Sequence, residues 1–167
     1  DRKKVLAEGA QGSMLDIDYG TYPHVTSSNT ITAGVCSGLG IPPSKINEVM
    51  GIAKAYCTRV GSGPFPTEQE NATGEKMRAI GHEFGATTGR PRRCGWIDIP
   101  QLLYTIMSNG VTQVIITKLD VLNDFDEILV GETYRYEGNT TTELPFDLCR
   151  TDLEVAYSQH PGWNQDL

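Results

Sequence analysis

The segment over residues 98–117 constrains the fold of this chain most strongly. Asp98 can cap a helix whose first turn accepts Pro100, because the first helical positions need no backbone N–H. Asn109-Gly110 ends that helix, and residues 111–117 then form a run rich in β-branched side chains, which is typical of a buried parallel strand. A helix, a short turn and a buried strand make half of a βαβ unit, so we predict an α/β fold.

Two further helices are predicted from apolar residues that recur at helical spacing. One covers residues 45–58, with Ser44 as its N-cap, and the other covers residues 71–82, with Met77 pointing inward. The long segment from residue 8 to 43 lacks a clear period of 2 or 3.6, and such irregular segments are often functional.

The remaining predictions are strands and loops, read from alternation and from Gly and Pro. The expected strands are a short buried one over 5–7, a β-hairpin over 128–136 and 140–144, and a further strand over 154–158. The expected loops are 59–67 and 85–93. The predicted architecture is a mainly parallel central sheet flanked by helices, with an antiparallel hairpin appendage, and residues 1–167 form part of a single domain.

Composition narrows the class of protein. Hydrophobic residues make up 38% of the 167, and no stretch of 18 apolar residues predicts a membrane span. A net charge of −7 argues against a broad nucleic-acid face, although the acidic excess lies after residue 119. The four cysteines form no C-x-x-C pair, so buried, reduced thiols are expected. Because the chain begins at Asp1 rather than Met, we expect a processed piece or a fragment.

The tetrapeptide Thr117-Lys118-Leu119-Asp120 lies where open α/β sheets bind ligands, at the carboxyl end of the predicted strand. The Asp120 carboxylate can accept two hydrogen bonds from the N1–H and exocyclic amine of guanine, and the apolar stem of Lys118 can cover a flat ring. By itself the motif is weak, and a strand-ending turn with a surface lysine is the alternative.

Residues 85–93 combine glycines, paired threonines and three arginines, Arg90, Arg92 and Arg93. Guanidinium groups so close together repel one another unless an anion neutralises them, and their forked donors suit carboxylates and phosphates. The loop therefore predicts an anion site. A solvated basic turn is an equally good interpretation, and a nucleic-acid-binding loop is a third, weakened by the lack of nearby aromatic residues.

Two weaker candidates lie in the irregular segment. Residues 25–30 offer hydroxyl and backbone N–H donors for an anion, with a plain polar turn as the alternative. Gln11 stands between glycines, and a positioned amide can stabilise an oxygen that gains negative charge, although an ordinary turn glutamine fits as well. No P-loop motif, no dinucleotide fingerprint and no persuasive catalytic triad is present.

Taken together, these segments resemble the adenylosuccinate synthetase family. The resemblance is carried in order along almost the whole chain by long, specific motifs. They are EGAQGSMLDIDYGTYPHVTSSN at 8–29, KAYCTRVGSGPFPTE at 54–68, GHEFGATTGRPRRCGW at 81–96, TKLD at 117–120 and PGW at 161–163.

The resemblance implies a P-loop-NTPase-like α/β architecture and a GTP-dependent ligase of purine biosynthesis that joins IMP and L-aspartate. It implies that Gln11 binds the 6-oxygen of IMP as charge develops, that Thr26 binds the IMP phosphate, and that Arg90 also contacts IMP. The implied aspartate loop consists of Ala86, Thr87, Thr88, Gly89, Arg90, Pro91 and Arg92. The implied GTP-binding residues are Arg92, Lys118, Leu119 and Asp120.

Several family features are missing from this sequence. They are the glycine-rich phosphate loop, the catalytic Asp and His, the Mg²⁺ ligands and the C-terminal segment that covers guanine. Pro91 also stands where many members have another Arg. We therefore expect a fragment that is inactive alone, from a cytoplasmic, homodimeric enzyme that binds neither nucleic acid nor membrane. A non-catalytic GTP-binding module that uses residues 117–120 remains the alternative.

Overall fold

A computed structural model describes residues 3–163 and 165. The chain divides into two compact units. The first unit comprises Asp1–Gly51 and Thr105–Gln113, and the second comprises Ile52–Tyr104 and Val114–Leu167. Among the described residues, none of the helices has the length and hydrophobicity to cross a bilayer.

The first unit is built mainly from irregular backbone. Its described residues contain one complete short helix, α1 (Ala33–Leu39), the last turn of a longer helix that ends at Asn109, and 3-10 turns at Ser13–Leu15 and Pro43–Lys45. The predicted irregularity before residue 43 is thus largely confirmed, with α1 as the element that the sequence did not reveal. Its residues, AGVCSGL, include two glycines, which weaken the local helical signal.

The predicted buried strand at residues 5–7 is wrong. Residues 3–10 have no regular structure, and Val5 and Leu6 are 81% and 90% exposed. No described strand pairs with them. A lone strand leaves its backbone hydrogen-bonding groups unpaired and buries no side chain, so an apolar run alone cannot make one.

The predicted helix over residues 45–58 is also wrong. The same residues form strand β1 (Met50–Lys54) and strand β2 (Tyr56–Arg59). Strand β2 pairs antiparallel with strand β3 (Arg93–Asp98), so that Tyr56 opposes Trp96. Strand β1 pairs in turn with a strand more than 50 residues later in the chain, and tertiary contacts of this kind override a local helical spacing.

Helix α2 (Ala72–Ile80) confirms the helix predicted over 71–82. The side chain of Asn71 caps it by accepting from the backbone N–H groups of Thr73 at 2.9 Å and Gly74 at 3.3 Å. Met77 is fully buried in the core of the second unit, beside Tyr56 and Cys94, and Trp96 meets Phe125 edge-on with ring centroids 5.7 Å apart. Burial of Met77 thus anchors α2 on this core.

Helix α3 (Ile99–Asn109) and strand β4 (Gln113–Thr117) appear as predicted. Asp98 caps α3 by accepting from Gln101 N–H at 3.1 Å, and Gly110 follows it with φ of +62°. The predicted burial of β4 is wrong, because Val114, Ile115 and Ile116 are 37–46% exposed. In the described chain β4 pairs only with β1, and a strand is buried on both faces only when other layers cover both.

The second unit is centred on strand β5 (Glu127–Tyr136). Strand β3 pairs parallel with β5, and strands β6 (Asn139–Thr141) and β7 (Glu154–Pro161) pair antiparallel with it. The turn Glu137-Gly138 joins β5 to β6 with both φ angles positive, which matches the right-handed twist of a hairpin. The α/β class and the hairpin are confirmed, and the sheets of the described residues are mixed.

Candidate ligand site

The arginine loop over residues 84–92 is closed by its own backbone. Arg92 N–H donates to Glu83 O at 2.9 Å, and Gly85 N–H donates to Arg90 O at 2.9 Å. Gly89 takes a φ of +65°, which an L side chain rarely adopts, and its N–H donates to Gly85 O. Residues 86–91, including the side chain of Arg90, are exposed. The loop predicted from sequence is therefore confirmed, and it presents its donors to solvent.

A buried carboxylate lies at the base of this loop. Glu83 is 1% exposed, and its Oε2 accepts from Arg92 Nη1 at 2.7 Å. Its Oε1 accepts from Lys54 Nζ and from Tyr56 Oη, both at 2.6 Å. Burial alone would raise the pKa of Glu83, but hydrogen bonds from Lys54, Tyr56 and Arg92 outweigh it and hold that pKa below its usual value. Glu83 is thus an ionised carboxylate that forms ion pairs with both Lys54 and Arg92.

The three arginines of the sequence motif have different environments. The Arg93 guanidinium pairs with both carboxylate oxygens of Glu68, and its Nη1 donates to the carbonyls of Gly61 and Gly63. Arg92 pairs with Glu83, so both cations are neutralised by acids of the chain itself. Acids of the chain therefore supply part of the neutralisation, and Arg90 is the arginine whose guanidinium lies on the exposed part of the loop, so that the loop binds an external anion stays a prediction.

The guanine-type motif lies directly after strand β4, as predicted. Lys118 takes the left-handed conformation with φ of +62°, and Asp120 lies in the first turn of a 3-10 helix, Leu119–Leu122. Lys118 Nζ donates to Gly81 O at 3.0 Å, two residues before Glu83. Val121 and Leu122 are buried, whereas Leu119 and Asp120 are exposed. Burial of Val121 and Leu122 therefore fixes the end of the motif, while Asp120 is exposed to solvent.

Tyr56 connects this motif to the loop. Burial raises the pKa of Tyr56 strongly, the hydrogen bond to Glu83 and its negative charge raise it further, and the charge of Asp120 adds a smaller effect. Gly81 is required beside it, because a Cβ there would collide with Tyr56 Oη. The second unit thus brings Arg92 and residues 117–120 around the same cluster of Glu83, Lys54 and Tyr56.

Gln11 and Thr26 belong to the first unit. Gln11 is exposed with φ of +70°, so its turn geometry matches the expectation from the flanking glycines. Thr26 is partly exposed, and its backbone N–H donates to Leu15 O at 2.8 Å. That these residues share a cleft with Arg90 and Asp120 stays a prediction.

Asp16 organises the segment that carries Gln11 and Thr26. It is fully buried, and its carboxylate accepts from the backbone N–H groups of Asp18, Tyr19, Thr30 and Ile31 at 2.6–3.1 Å. Burial would raise the pKa of Asp16, but these four donors outweigh it and lower the pKa. An acid within a polar segment gives no sequence signal for such a role, because its donors lie up to 15 residues away.

Several residues of these clusters were not predicted from sequence. They are Asp16, Lys54, Tyr56, Glu68 and Glu83. The available signal was the position of Glu83 as the last acid before three arginines. That position shows that a partner exists but does not say which arginine it binds.

The residues that the structure describes contain no group of three or more His, Cys, Asp or Glu that could hold a metal ion. These residues therefore form no cage of protein ligands for a divalent cation. The four cysteines are free thiols, and the prediction that they are buried is confirmed for Cys94 and wrong for Cys149, which is exposed. Burial raises the pKa of Cys94 to about 11, so this thiol is protonated at neutral pH.

The structure defines an α/β protein in which an arginine-bearing loop and residues 117–120 lie beside the same stretch of chain: Arg92 donates to Glu83, and Lys118 donates to the carbonyl of Gly81. The sequence model of the family described as adenylosuccinate synthetase matches residues 1–167. The chain belongs to the adenylosuccinate synthetase family.

Individual relatives agree with this assignment. The chain is 58% identical to adenylosuccinate synthetase of Cytophaga hutchinsonii and 59% identical to that of Candida glabrata, over 99% and 100% of its own length. It spans 39% of the length of each of these relatives. A fully ligated adenylosuccinate synthetase from Plasmodium falciparum superposes with a TM-score of 0.91 at 47% identity, covering 95% of this chain and 39% of that one.

A more distant structure is similar over part of the chain. It is a succinoaminodeoxyadenylate synthetase of cyanophage S-2L bound to dGMP and dATP as an energy donor. The TM-score is 0.54 at 28% identity, covering 70% of this chain and 37% of that one. Both solved structures are synthetases by name. The adenylosuccinate synthetase from Plasmodium falciparum is the more similar of the two.

Proposed function

We propose that the protein to which these residues belong is a GTP-dependent ligase that forms adenylosuccinate from IMP and L-aspartate. The γ-phosphoryl group of GTP is transferred to the 6-oxygen of IMP, which leaves GDP. The aspartate amine then attacks carbon 6, a C–N bond forms, and the C–O bond to the phosphorylated oxygen breaks to release phosphate. The proton lost by the amine passes to a base.

Each proposed role follows from what the side chain offers. The Gln11 amide donates to the 6-oxygen of IMP as that oxygen gains charge. Thr26 binds the IMP phosphate. Arg90, exposed on its loop, receives a carboxylate of aspartate and contacts IMP, and the backbone and hydroxyls of residues 86–89 add donors. Pro91 supplies no N–H, so it shapes the loop rather than binding.

The guanine end of GTP is assigned to residues 117–120. Asp120 is exposed and free to accept from the guanine edge, while the Lys118 ammonium is held by Gly81 O so that its stem lies along the site. Leu119, 40% exposed, offers apolar contact to the base. Arg92 ends the arginine loop beside Glu83 and would reach GTP as well as aspartate.

One observation carries this proposal. In a chain of this family, Arg92 of the arginine loop donates to Glu83, and Lys118 of the 117–120 segment donates to the carbonyl of Gly81, two residues before Glu83. A dicarboxylate-binding loop and a guanine-binding segment in one unit support a ligase that couples both ligands. We further propose a cytoplasmic homodimer that requires Mg²⁺, whose ligands we expect outside residues 1–167.

The test is an assay of the natural protein that contains these residues, with IMP, GTP and L-aspartate, in which adenylosuccinate, GDP and phosphate are measured chromatographically. We expect one GDP for each adenylosuccinate and no product when any substrate is omitted. Replacement of IMP by dGMP, or of GTP by dATP, distinguishes this reaction from one that uses the ligands of the cyanophage enzyme. Tight GDP binding without any ligation would instead indicate a non-catalytic GTP-binding module.

A further inference from the structure

Glu83 lies between the two ligand segments and touches no ligand in the proposed reaction. We propose that Glu83 is a positioning residue for substrate binding: its carboxylate holds the Arg92 guanidinium in the orientation in which the arginine loop receives the dicarboxylate substrate. This inference rests on the proposed function for the identity of the substrate.

The exposure of the pair supports a holding role. The Glu83 side chain is 2% exposed and cannot meet a ligand in solvent, whereas the Arg92 side chain is 33% exposed. The contact uses Nη1 of Arg92. A guanidinium carries five N–H donors, so one face can bind Glu83 while the outer donors serve a carboxylate. Arg92 therefore connects a buried anchor with an exposed binding face.

The backbone of Arg92 is fixed independently of this contact. Its N–H donates to Glu83 O at 2.9 Å, and its carbonyl accepts from Arg78 Nε at 2.8 Å. Loss of the Glu83 carboxylate would leave both bonds intact. What the carboxylate decides is the direction of the Arg92 side chain, so a substitution there separates orientation from loop tethering.

Charge gives the carboxylate a second task. Lys54 Nζ and Arg92 Nη1 contact the two oxygens of the Glu83 carboxylate. The two cations are therefore separated only by this carboxylate. Without the negative charge they repel. Both side chains are partly exposed, Lys54 at 27% and Arg92 at 33%, but Lys54 Nζ also donates to Thr58 Oγ1 at 2.9 Å, so we expect Arg92 to be the cation that turns away. The backbone just before Glu83 is also held in place, because the Gly81 carbonyl accepts a hydrogen bond from Lys118 Nζ. Glu83 thus keeps Arg92 over the site rather than turned away from it.

The kinetic test uses the natural protein and the variant Glu83→Gln, which removes the charge and keeps the size. We expect the KM for aspartate to rise about tenfold to a hundredfold, the effect of losing a charge-assisted hydrogen bond, with a much smaller change in kcat. Glu83→Asp keeps the charge and should give an intermediate KM, which also serves if the Gln variant is poorly folded.

Two comparisons separate positioning from structural damage. In an Arg92→Leu background, Glu83→Gln should change the KM for aspartate less than twofold, because its route of action is gone. Glu68→Gln breaks the matched carboxylate–arginine pair with Arg93 and should lower stability without raising that KM. Equal effects of Glu83→Gln in both backgrounds, or the same rise in KM with Glu68→Gln, would overturn the proposal.

A readout without catalysis keeps this inference separable from the proposed function. Nuclear magnetic resonance of the Arg92 side-chain N–H groups should show a slowly exchanging, shifted Nη1 signal that Glu83→Gln abolishes and Glu68→Gln retains. If the wild-type protein shows no ligase activity, the proposed function is refuted. The Arg92 signal still tests whether Glu83 orients Arg92. An Arg92 signal unaffected by Glu83→Gln would refute the positioning role.

Discussion

At the scale of single residues, the decisive features are pairings between acids and bases. Arg92 and Arg93 are neighbours in sequence, yet one binds Glu83 near the site and the other binds Glu68 and two loop carbonyls. The sequence predicted an anion-binding loop but could not assign these partners. Their acids lie 9 and 25 residues away, and backbone bridges between Phe84 and Pro91 and between Glu68 and Gly95 bring them into reach.

Asp120 is the residue expected to choose the base. In Asp120→Asn, an amide NH2 group replaces one carboxylate oxygen. This group is a donor, so it repels the exocyclic amine of guanine, which is also a donor. We expect the preference for GTP over ITP, which lacks that amine, to fall about tenfold or more. The measurement is the ratio of kcat/KM for the two nucleotides. Asp124→Asn, an exposed acid four residues later, is the control and should keep the ratio. An unchanged ratio in Asp120→Asn would contradict the base-recognition role.

At the scale of elements, the helices that begin at a capping residue were predicted correctly from the sequence. Helices α2 and α3 begin after Asn71 and Asp98, whose side chains accept from backbone N–H groups of the first turn. Residues 45–58 carry a similar apolar spacing, but residues 50–54 and 56–59 are strands. Spacing alone cannot separate the two outcomes when both bury the same side chains, and the partner strand decides.

The N-cap of α2 gives a prediction at this scale. Asn71→Ala removes the acceptor for Thr73 N–H and Gly74 N–H, and we expect it to lower the free energy of unfolding by about 1 kcal/mol. Urea denaturation followed by the fluorescence of Trp96, which lies in the core beside α2, measures the change. Asn71→Asp retains the acceptor and should differ from wild type by only a few tenths of a kcal/mol. Equal losses in both variants would rule out the cap.

At the scale of the whole molecule, each unit contains a buried acid that is held ionised. Asp16 in the first unit and Glu83 in the second have pKa values below their usual range, because hydrogen-bond donors outweigh the effect of burial. Asp98 behaves in the opposite way, since burial raises its pKa despite hydrogen bonds from Tyr134 and Gln101. The stability of the molecule should therefore depend on pH in the acid range.

The sign of that dependence follows from linkage. A lowered pKa in the folded state adds stability that is fully present above the unfolded carboxyl value of about 4 and is lost as pH falls through the folded value. Asp98 opposes this, because its raised pKa costs stability as pH rises above about 4. We expect Asp16→Asn to lower the free energy of unfolding by about 2–4 kcal/mol at pH 7 and by less at pH 3.

Urea denaturation at a series of pH values tests this expectation. Glu48→Gln removes an exposed carboxylate of the same unit and serves as the control, with little change at any pH. A loss for Asp16→Asn that is the same at pH 3 and pH 7 would show that the carboxylate charge is not what its four N–H donors stabilise.

The sequence alone determined the family, the α/β class, helices α2 and α3, the hairpin after β5 and the position of the arginine loop. These features depend on caps, glycines and motifs that act over a few residues, so they can be read locally. The tertiary structure alone decided that residues 50–54 and 56–59 are strands, that β4 is exposed, and that Asp16 and Glu83 are buried acids that accept from residues 18–31 and from Arg92. The physical reason is that burial and ion pairing depend on which distant segments meet, and that information belongs to no single stretch of chain.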